Sequence, residues 1–177
     1  MNSLYNISIQ LYVIAIRFAA LFNAKAKLWV NGRKNIFQKI EEVTKGEQNI
    51  VWFHCASLGE FEQGKPIIEG YKQKYPSHKI LLTFFSPSGF EIRKNTPLAD
   101  FVSYLPADTK SNAKKFISIV KPIKVIFIKY EFWFNYMAEL KKQNISFYSV
   151  SAIFRAEQAF FKYKWWAEQL KNVTHFF

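Results

Sequence analysis

Cysteine is almost missing: Cys55 is the only one among 177 residues. That excludes an internal disulfide and fits a reducing compartment. With no second thiol to pair with, Cys55 reads as a small buried residue rather than a redox or metal partner. Histidine is nearly as scarce. His54, His78 and His175 show no metal-ligand spacing, and no Ser-His-Asp set follows from their order. Glycine-rich phosphate loops are lacking, since neither G-x-G-x-x-G nor a Walker pattern occurs. There is no internal repeat and no low-complexity segment. Acid is in short supply: 13 Asp and Glu stand against 25 Lys and Arg, a net charge of +12. Such a balance favours an anionic partner, whether nucleic acid, a membrane surface or a phosphorylated substrate. No nucleic-acid recognition motif accompanies the charge, and a nucleic-acid role leaves an apolar N-terminus unexplained.

What is abundant is apolar and aromatic. Half the residues are hydrophobic, with 19 Phe, 9 Tyr and 5 Trp, enough for one domain with a sizeable core. Residues 1–24 read as a hydrophobic membrane-associating helix. Leu4, Ile7, Leu11, Ile14, Phe18 and Leu21 recur at helical spacing, and Arg17 is the only charge between Leu4 and Phe22. The stretch is just long enough to span a bilayer, or it lies in the interface. No basic residues precede it and no small-residue cleavage site is evident, which argues against a cleaved signal peptide. Residues 25–49 read as a basic linker carrying Lys25, Lys27, Arg33, Lys34 and Lys39 with Trp29 among them. That flank favours membrane contact over a buried core helix and keeps its side cytoplasmic. Glu41–Gln48 is polar, contains Gly46, and reads as a loop.

From Ile50 the patterns alternate between strand and helix. Strands are predicted at Ile50–Phe53, Lys79–Phe85, Phe101–Tyr104, Val125–Ile128, Ser146–Val150 and from Thr174 to Phe177. Between them come helices at Glu60–Tyr75, Phe90–Lys94, from Asp108 or Thr109 through Val120, Glu131–Gln143 and Phe154–Leu170. Alternation at this spacing implies an α/β fold, a Rossmann-like parallel sheet with helices on both faces over residues 50–177. The chain stops inside an apolar run, His175-Phe176-Phe177, so further protein is expected after it.

The strand-to-helix junctions hold the residues that carry chemistry. Ser57, Gly59 and Glu60 follow the first strand, and Ser86, Ser88 and Gly89 the second. Asp108 follows the third, Glu131 the fourth, and Ser151 and Arg155 the fifth. In a parallel sheet these junctions share one edge and converge on one cleft. Small and hydroxyl residues there leave helix N–H groups for an anion, Arg155 offers a forked grip on a phosphate or carboxylate, and a carboxylate beside the cleft is placed to take a proton from a substrate hydroxyl. Taken singly, each is also an ordinary cap or turn residue, and a first-turn Glu is favoured by the helix dipole in any protein. His54, beside the first turn, either lines the cleft or packs at the strand end.

These residues, in order, resemble the N-terminal domain of 3-deoxy-D-manno-octulosonic acid (Kdo) transferases. The marks are Leu28-Trp29-Val30-Asn31-Gly32-Arg33-Lys34, Ala56-Ser57-Leu58-Gly59-Glu60, Ser86-Pro87-Ser88-Gly89, Tyr104-Leu105-Pro106-Ala107-Asp108, Tyr130-Glu131-Phe132-Trp133 and Ser151-Ala152-Ile153-Phe154-Arg155. The resemblance implies the acceptor-binding, N-terminal half of a two-domain GT-B inverting glycosyltransferase. It implies CMP-Kdo as donor, bound mainly by a C-terminal domain, and a glucosamine 6-hydroxyl of lipid A precursor as acceptor. Glu60 falls on the family's general base and Glu131 on its second essential acid; no metal or other cofactor is implied. The implied location is the cytoplasmic face of the inner membrane. The basic flank and the aromatic stretch 160–166 suit the acceptor's phosphates and acyl chains, while that stretch also suits packing against a second domain. Two positions depart from the pattern: Lys129, where many relatives have an acid, and Phe134, where many have Pro. The alternative to an enzyme is a non-catalytic membrane-surface module that binds anionic glycolipid through the same features.

Overall fold

The computed structural model describes residues 2–129, 131–152 and 164–177. The chain opens with α1 (Asn2–Ala19), α2 (Ala24–Gly32) and α3 (Ile36–Thr44). It then alternates β1 (Ile50–Cys55), α4 (Leu58–Lys74), β2 (Lys79–Phe84), α5 (Pro87–Arg93), β3 (Phe101–Tyr104), α6 (Lys110–Val120), β4 (Lys124–Ile128), α7 (Phe134–Lys142) and β5 (Ser146–Val150). Helix α8 (Lys164–Leu170) and β6 (His175–Phe176) complete the described part.

The strands form one parallel sheet in the order β3-β2-β1-β4-β5-β6. β1 is buried at every position, so its sequence is an apolar run rather than an alternation, as a strand covered on both faces requires. Alternate residues still divide between two cores. Ile50 and Trp52 join Leu81, Val125 and Phe127 beneath α3, α6 and α7. Val51, Phe53 and Cys55 join Leu82, Phe84, Ile126 and Ile128 beneath α4. The lone cysteine is thus a core residue, and burial pushes its thiol well above its usual pKa.

The expected parallel sheet with helices on both faces is what forms, and the strands lie within a residue or two of their predicted limits. Three expectations change. Residues 25–49 are not a linker: α2 and α3 occupy most of that span, and α3 covers part of the stretch read as the Glu41–Gln48 loop. Lysines dominate the composition there, but Ile36, Ile40 and Thr44 recur at helical spacing and are buried. α7 begins at Phe134 rather than Glu131, and α5 at Pro87, whose fixed φ suits a first helical position. Among the described residues no helix, α1 included, is long and apolar enough to cross a membrane. The part of the predicted Phe154–Leu170 helix before Lys164, with the aromatic stretch up to Tyr163, lies outside the described residues.

α1 turns Tyr5, Asn6, Ile9, Val13 and Ile16 inward, where they are partly buried. Tyr5 donates to Asp108 Oδ2, Asn135 Nδ2 donates to Asn6 Oδ1 at 3.0 Å, and Tyr12 stacks on Phe85. The apolar positions Leu4, Ile7, Leu11, Ile14, Phe18 and Leu21 face outward, each more than half exposed. Arg33 fixes α2 to the sheet edge: it donates to the carbonyls of Leu105 (2.9 Å) and Phe85 (2.8 Å), which follow β3 and β2.

Because Ile40 is buried to 1%, Ile40→Ala is expected to cost about 2–5 kcal/mol. Urea denaturation followed by circular dichroism should show one cooperative transition at a lower midpoint. An unchanged midpoint would mean that α3 is not part of the folded domain.

Candidate active site

Strand order reverses between β1 and β4: the chain winds outward through β2 and β3 on one side and through β5 and β6 on the other. The crossovers leaving β1 and β4 therefore diverge, and a crevice opens at their carboxyl ends. Glu60 follows β1 and Glu131 follows β4, so the topology itself places both acids at the crevice.

Each acid is held differently. The chain leaves β1 through Ala56 and Ser57, and Ser57 is the N-cap of α4. Glu60 is the third residue of that helix, and its Oε2 accepts from the backbone N–H groups of Ala56 and Ser57. This is the acid half of a capping box. Oε1 has no hydrogen-bond partner among the described residues. Burial raises the pKa of Glu60, while the two N–H donors and the positive charge of Lys129 pull it back.

Glu131 lies in the segment between β4 and α7. Lys129 turns the chain out of β4 in a left-handed conformation, φ 64°. It is pinned by its N–H to Val150 O (2.7 Å) and by Ser149 Oγ donating to its carbonyl (2.7 Å). Beyond Glu131, Trp133 Nε1 donates to His54 Nε2 at 3.3 Å. That leaves the proton of the neutral imidazole on Nδ1, where it is shared between the carbonyl (3.1 Å) and hydroxyl (2.9 Å) of Thr83. Burial pulls the His54 pKa down to about 3, so the ring stays neutral and acts as an anchor for this segment. Glu131 gains no ion pair among the described residues. Burial first, and then the negative charge of Glu60, raise its pKa to about 7.

The other predicted residues divide. Ser57 belongs to the Glu60 turn. Ser86 N–H donates to Ala56 O at 2.7 Å, joining the loops after β1 and β2, and Ser86 and Ser88 share a hydroxyl contact of 2.9 Å beside it. Gly59 faces open space, whereas a Cβ on Gly89 would meet Phe84 Cδ1 at 2.3 Å, so Gly89 serves helix-to-strand packing. Asp108 is buried and turned inward. It accepts from the N–H groups of Asn135 and Tyr136, both at 3.0 Å, and from Tyr5. It caps α7, while Thr109 caps α6. Burial nonetheless raises its pKa to about 6. Arg155 lies outside the described residues. Two contributors went unassigned from sequence: Lys129, noticed only as a departure, and Trp133, whose partner His54 is 79 residues away. Among the described residues no group of three or more His, Cys, Asp or Glu is arranged to hold a metal ion.

A doubly wound Rossmann-like domain with two raised carboxyls at its switch point defines the class. Residues 15–177 match the sequence profile of the family described as 3-deoxy-D-manno-octulosonic-acid transferase (kdotransferase). The chain belongs to that family. It is similar to 3-deoxy-D-manno-octulosonic acid transferases from several bacteria. The Aquifex aeolicus protein is 36% identical over 101 residues, 56% of this chain and 27% of that relative. The Haemophilus influenzae protein is 34% identical over 111 residues, 62% and 26% of the two chains. The Chlamydia pneumoniae protein is 30% identical over 99 residues, 55% and 23%. The matched stretch is thus about a quarter of each relative's length.

The raised Glu131 carboxyl has a consequence for stability. Its neutral form is favoured in the fold, so its contribution is fully present below about pH 4.5 and is lost as pH rises through about 7. The whole swing is roughly 3 kcal/mol. Glu131→Gln should therefore be more stable than wild type at pH 8, with the difference shrinking toward pH 4.5, measured as melting temperature against pH. Parallel curves would contradict the raised pKa.

Proposed function

We propose that this chain is the acceptor-binding half of a glycosyltransferase that moves Kdo from CMP-Kdo to the glucosamine 6-hydroxyl of lipid A precursor. The observation that carries this is the meeting of Glu60 and Glu131 at the β1–β4 switch point in a chain of the Kdo transferase family. Glu60 is the general base. Two N–H groups fix Oε2, which leaves Oε1 to accept the proton. As CMP departs with the bonding electron pair, the acceptor oxygen bonds to the anomeric carbon from the opposite face, and its proton passes to Glu60, inverting the centre. The two N–H donors and the charge of Lys129 favour the ionised form of Glu60 against burial. Glu131, half protonated near neutral pH, is the second acid of the crevice and is placed to hydrogen-bond an acceptor hydroxyl. CMP-Kdo falls to a second, C-terminal domain that faces the crevice, and protein groups rather than a metal neutralise the leaving phosphate.

The acceptor is a lipid, and the outward face of α1 supports work at a membrane surface. Leu4, Ile7, Leu11, Ile14 and Phe18 lie along it and Leu21 follows, each more than half exposed, and a contiguous exposed apolar surface is a mark of interaction sites. Lys25 and Lys27 follow directly and suit anionic headgroups. We assign the chain to the cytoplasmic face of the inner membrane. The same α1 surface also favours the rival, a membrane-surface module without catalysis in which Glu60 is only a helix cap.

Glu60→Gln separates the two, because the amide oxygen still accepts from Ala56 and Ser57 while no base remains. In a chain that also carries the donor-binding domain, turnover should fall by about 100- to 10,000-fold with the melting temperature nearly unchanged. Turnover near that of wild type would remove Glu60 as the base.

A further inference from the structure

β4 ends on a residue whose backbone is strained. Lys129 holds φ 64°, a left-handed conformation uncommon for any residue with a side chain. Two bonds to β5 keep it there: its N–H donates to Val150 O and Ser149 Oγ donates to its carbonyl, both at 2.7 Å. β5 leaves the sheet in the same manner, with Ser151 at φ 60° and its N–H on Phe177 O at 2.9 Å. Strain fixed in this way by the surrounding structure gathers at functional sites.

The side chain of Lys129 is as distinctive as its backbone. Between the ends of β1 and β4 and the two acids that follow them, it is the only cation among the described residues. It is partly buried. Glu60 feels its charge, yet the two form no ion pair, and no other acid among the described residues pairs with the ammonium. A partly buried charge without a counter-ion is costly, and an ammonium carries three donors. Close enough to Glu60 to be felt and too far to pair with it, Lys129 leaves room beside it for a small anion.

The rest of the crevice is unfavourable to an anion. Glu60 and Glu131 stand at the two strand ends, and His54 is neutral. The transfer proposed above nevertheless brings an anion to this point. Kdo is a 2-keto sugar acid, in which the carboxylate carbon is bonded directly to the anomeric carbon. The acceptor oxygen attacks that carbon while its proton passes to Glu60. The sugar's carboxylate therefore comes close to the Glu60 carboxylate, and two like charges so placed repel each other. A cation beside Glu60 offsets that repulsion.

We propose that Lys129 is a substrate-binding residue whose ammonium takes the carboxylate of the sugar being transferred and holds it beside Glu60. The identity of the acid rests on the Kdo-transfer reading; the unpaired cation at the switch point does not. Lys129 then helps to select an acidic sugar over a neutral one.

The test is donor binding with no acceptor present, so that no transfer takes place. A chain that also carries the donor-binding domain is titrated by calorimetry with CMP-Kdo and with CMP. Lys129→Met removes the charge at similar length, and Lys129→Arg keeps it. Neither is branched at Cβ, so the left-handed turn is no harder to adopt than with lysine. Lys129→Met should bind CMP-Kdo roughly 10- to 100-fold more weakly than wild type and bind CMP as before, which also shows that the variant is folded. Lys129→Arg should restore most of the CMP-Kdo affinity. An unchanged CMP-Kdo affinity in Lys129→Met, even with slower turnover, would reduce Lys129 to an electrostatic neighbour of Glu60 and overturn the site. An equal loss of affinity for CMP, which has no sugar carboxylate, would overturn it as well. If the CMP-Kdo affinity depends on Lys129 but wild type transfers nothing to lipid A precursor, the transferase reading fails and the carboxylate site stands. Transfer by wild type with no dependence of CMP-Kdo affinity on Lys129 counts only against the site.

Discussion

Everything functional in this domain depends on the reversal of winding at β1. A buried parallel strand has both neighbours reached by crossovers, and the two crossovers beside β1 and β4 run to opposite faces of the sheet. No helix can close over the gap between them. The residues that leave those two strands are thus exposed to a common crevice by topology, whatever their identity. Here they are acids. The small turn Ala56-Ser57 lets Glu60 fold back on its own helix start, and the left-handed Lys129 carries the chain out of β4 toward Glu131.

The crevice is electrostatically frustrated in a useful sense. Two carboxyls are desolvated near each other, and one lysine moderates one of them. Like charges in a poorly solvated place do not both ionise easily, so the pair separates into a more acidic and a less acidic member. Burial raises both, but two N–H donors and the charge of Lys129 offset part of the rise at Glu60. Glu131 lacks such support and rises to about 7. The surroundings hold this arrangement rigidly: a neutral His54 links Trp133 to Thr83, and the Trp52 indole donates to the Thr83 hydroxyl at 2.7 Å. The polar network is buried and its members are paired, which keeps the Glu131 segment in one place.

Much of this was legible in the sequence, for physical reasons. Short runs rich in aromatic and β-branched residues between turn signals mark strands, so Phe101–Tyr104 and Ser146–Val150 matched their observed limits although both are only partly buried. Strand ends followed by small residues marked Ser57, Gly59 and Glu60. Long-range pairing was not legible. Asp108 looks like any residue at a strand end, and only the approach of Tyr5 and the α7 backbone shows that its oxygens are spent on structure. Composition hid α2 and α3, because exposed lysines outnumber the few buried positions that hold them down. Arg33 read as one more cation of a basic flank, whereas burial against Trp29 and the β2 and β3 loops makes it a structural tie without a counter-ion.

The unequal ionisation of Glu60 and Glu131 is most directly tested by a carbon-13 NMR titration of the glutamate side-chain carboxyls, assigned by single substitution. Glu131 should titrate near pH 7 in the intact chain, and its midpoint should move down when Glu60 is replaced by Gln and the neighbouring charge is lost. A Glu131 midpoint near 4.5, unmoved by that substitution, would mean that the two acids do not share the crevice.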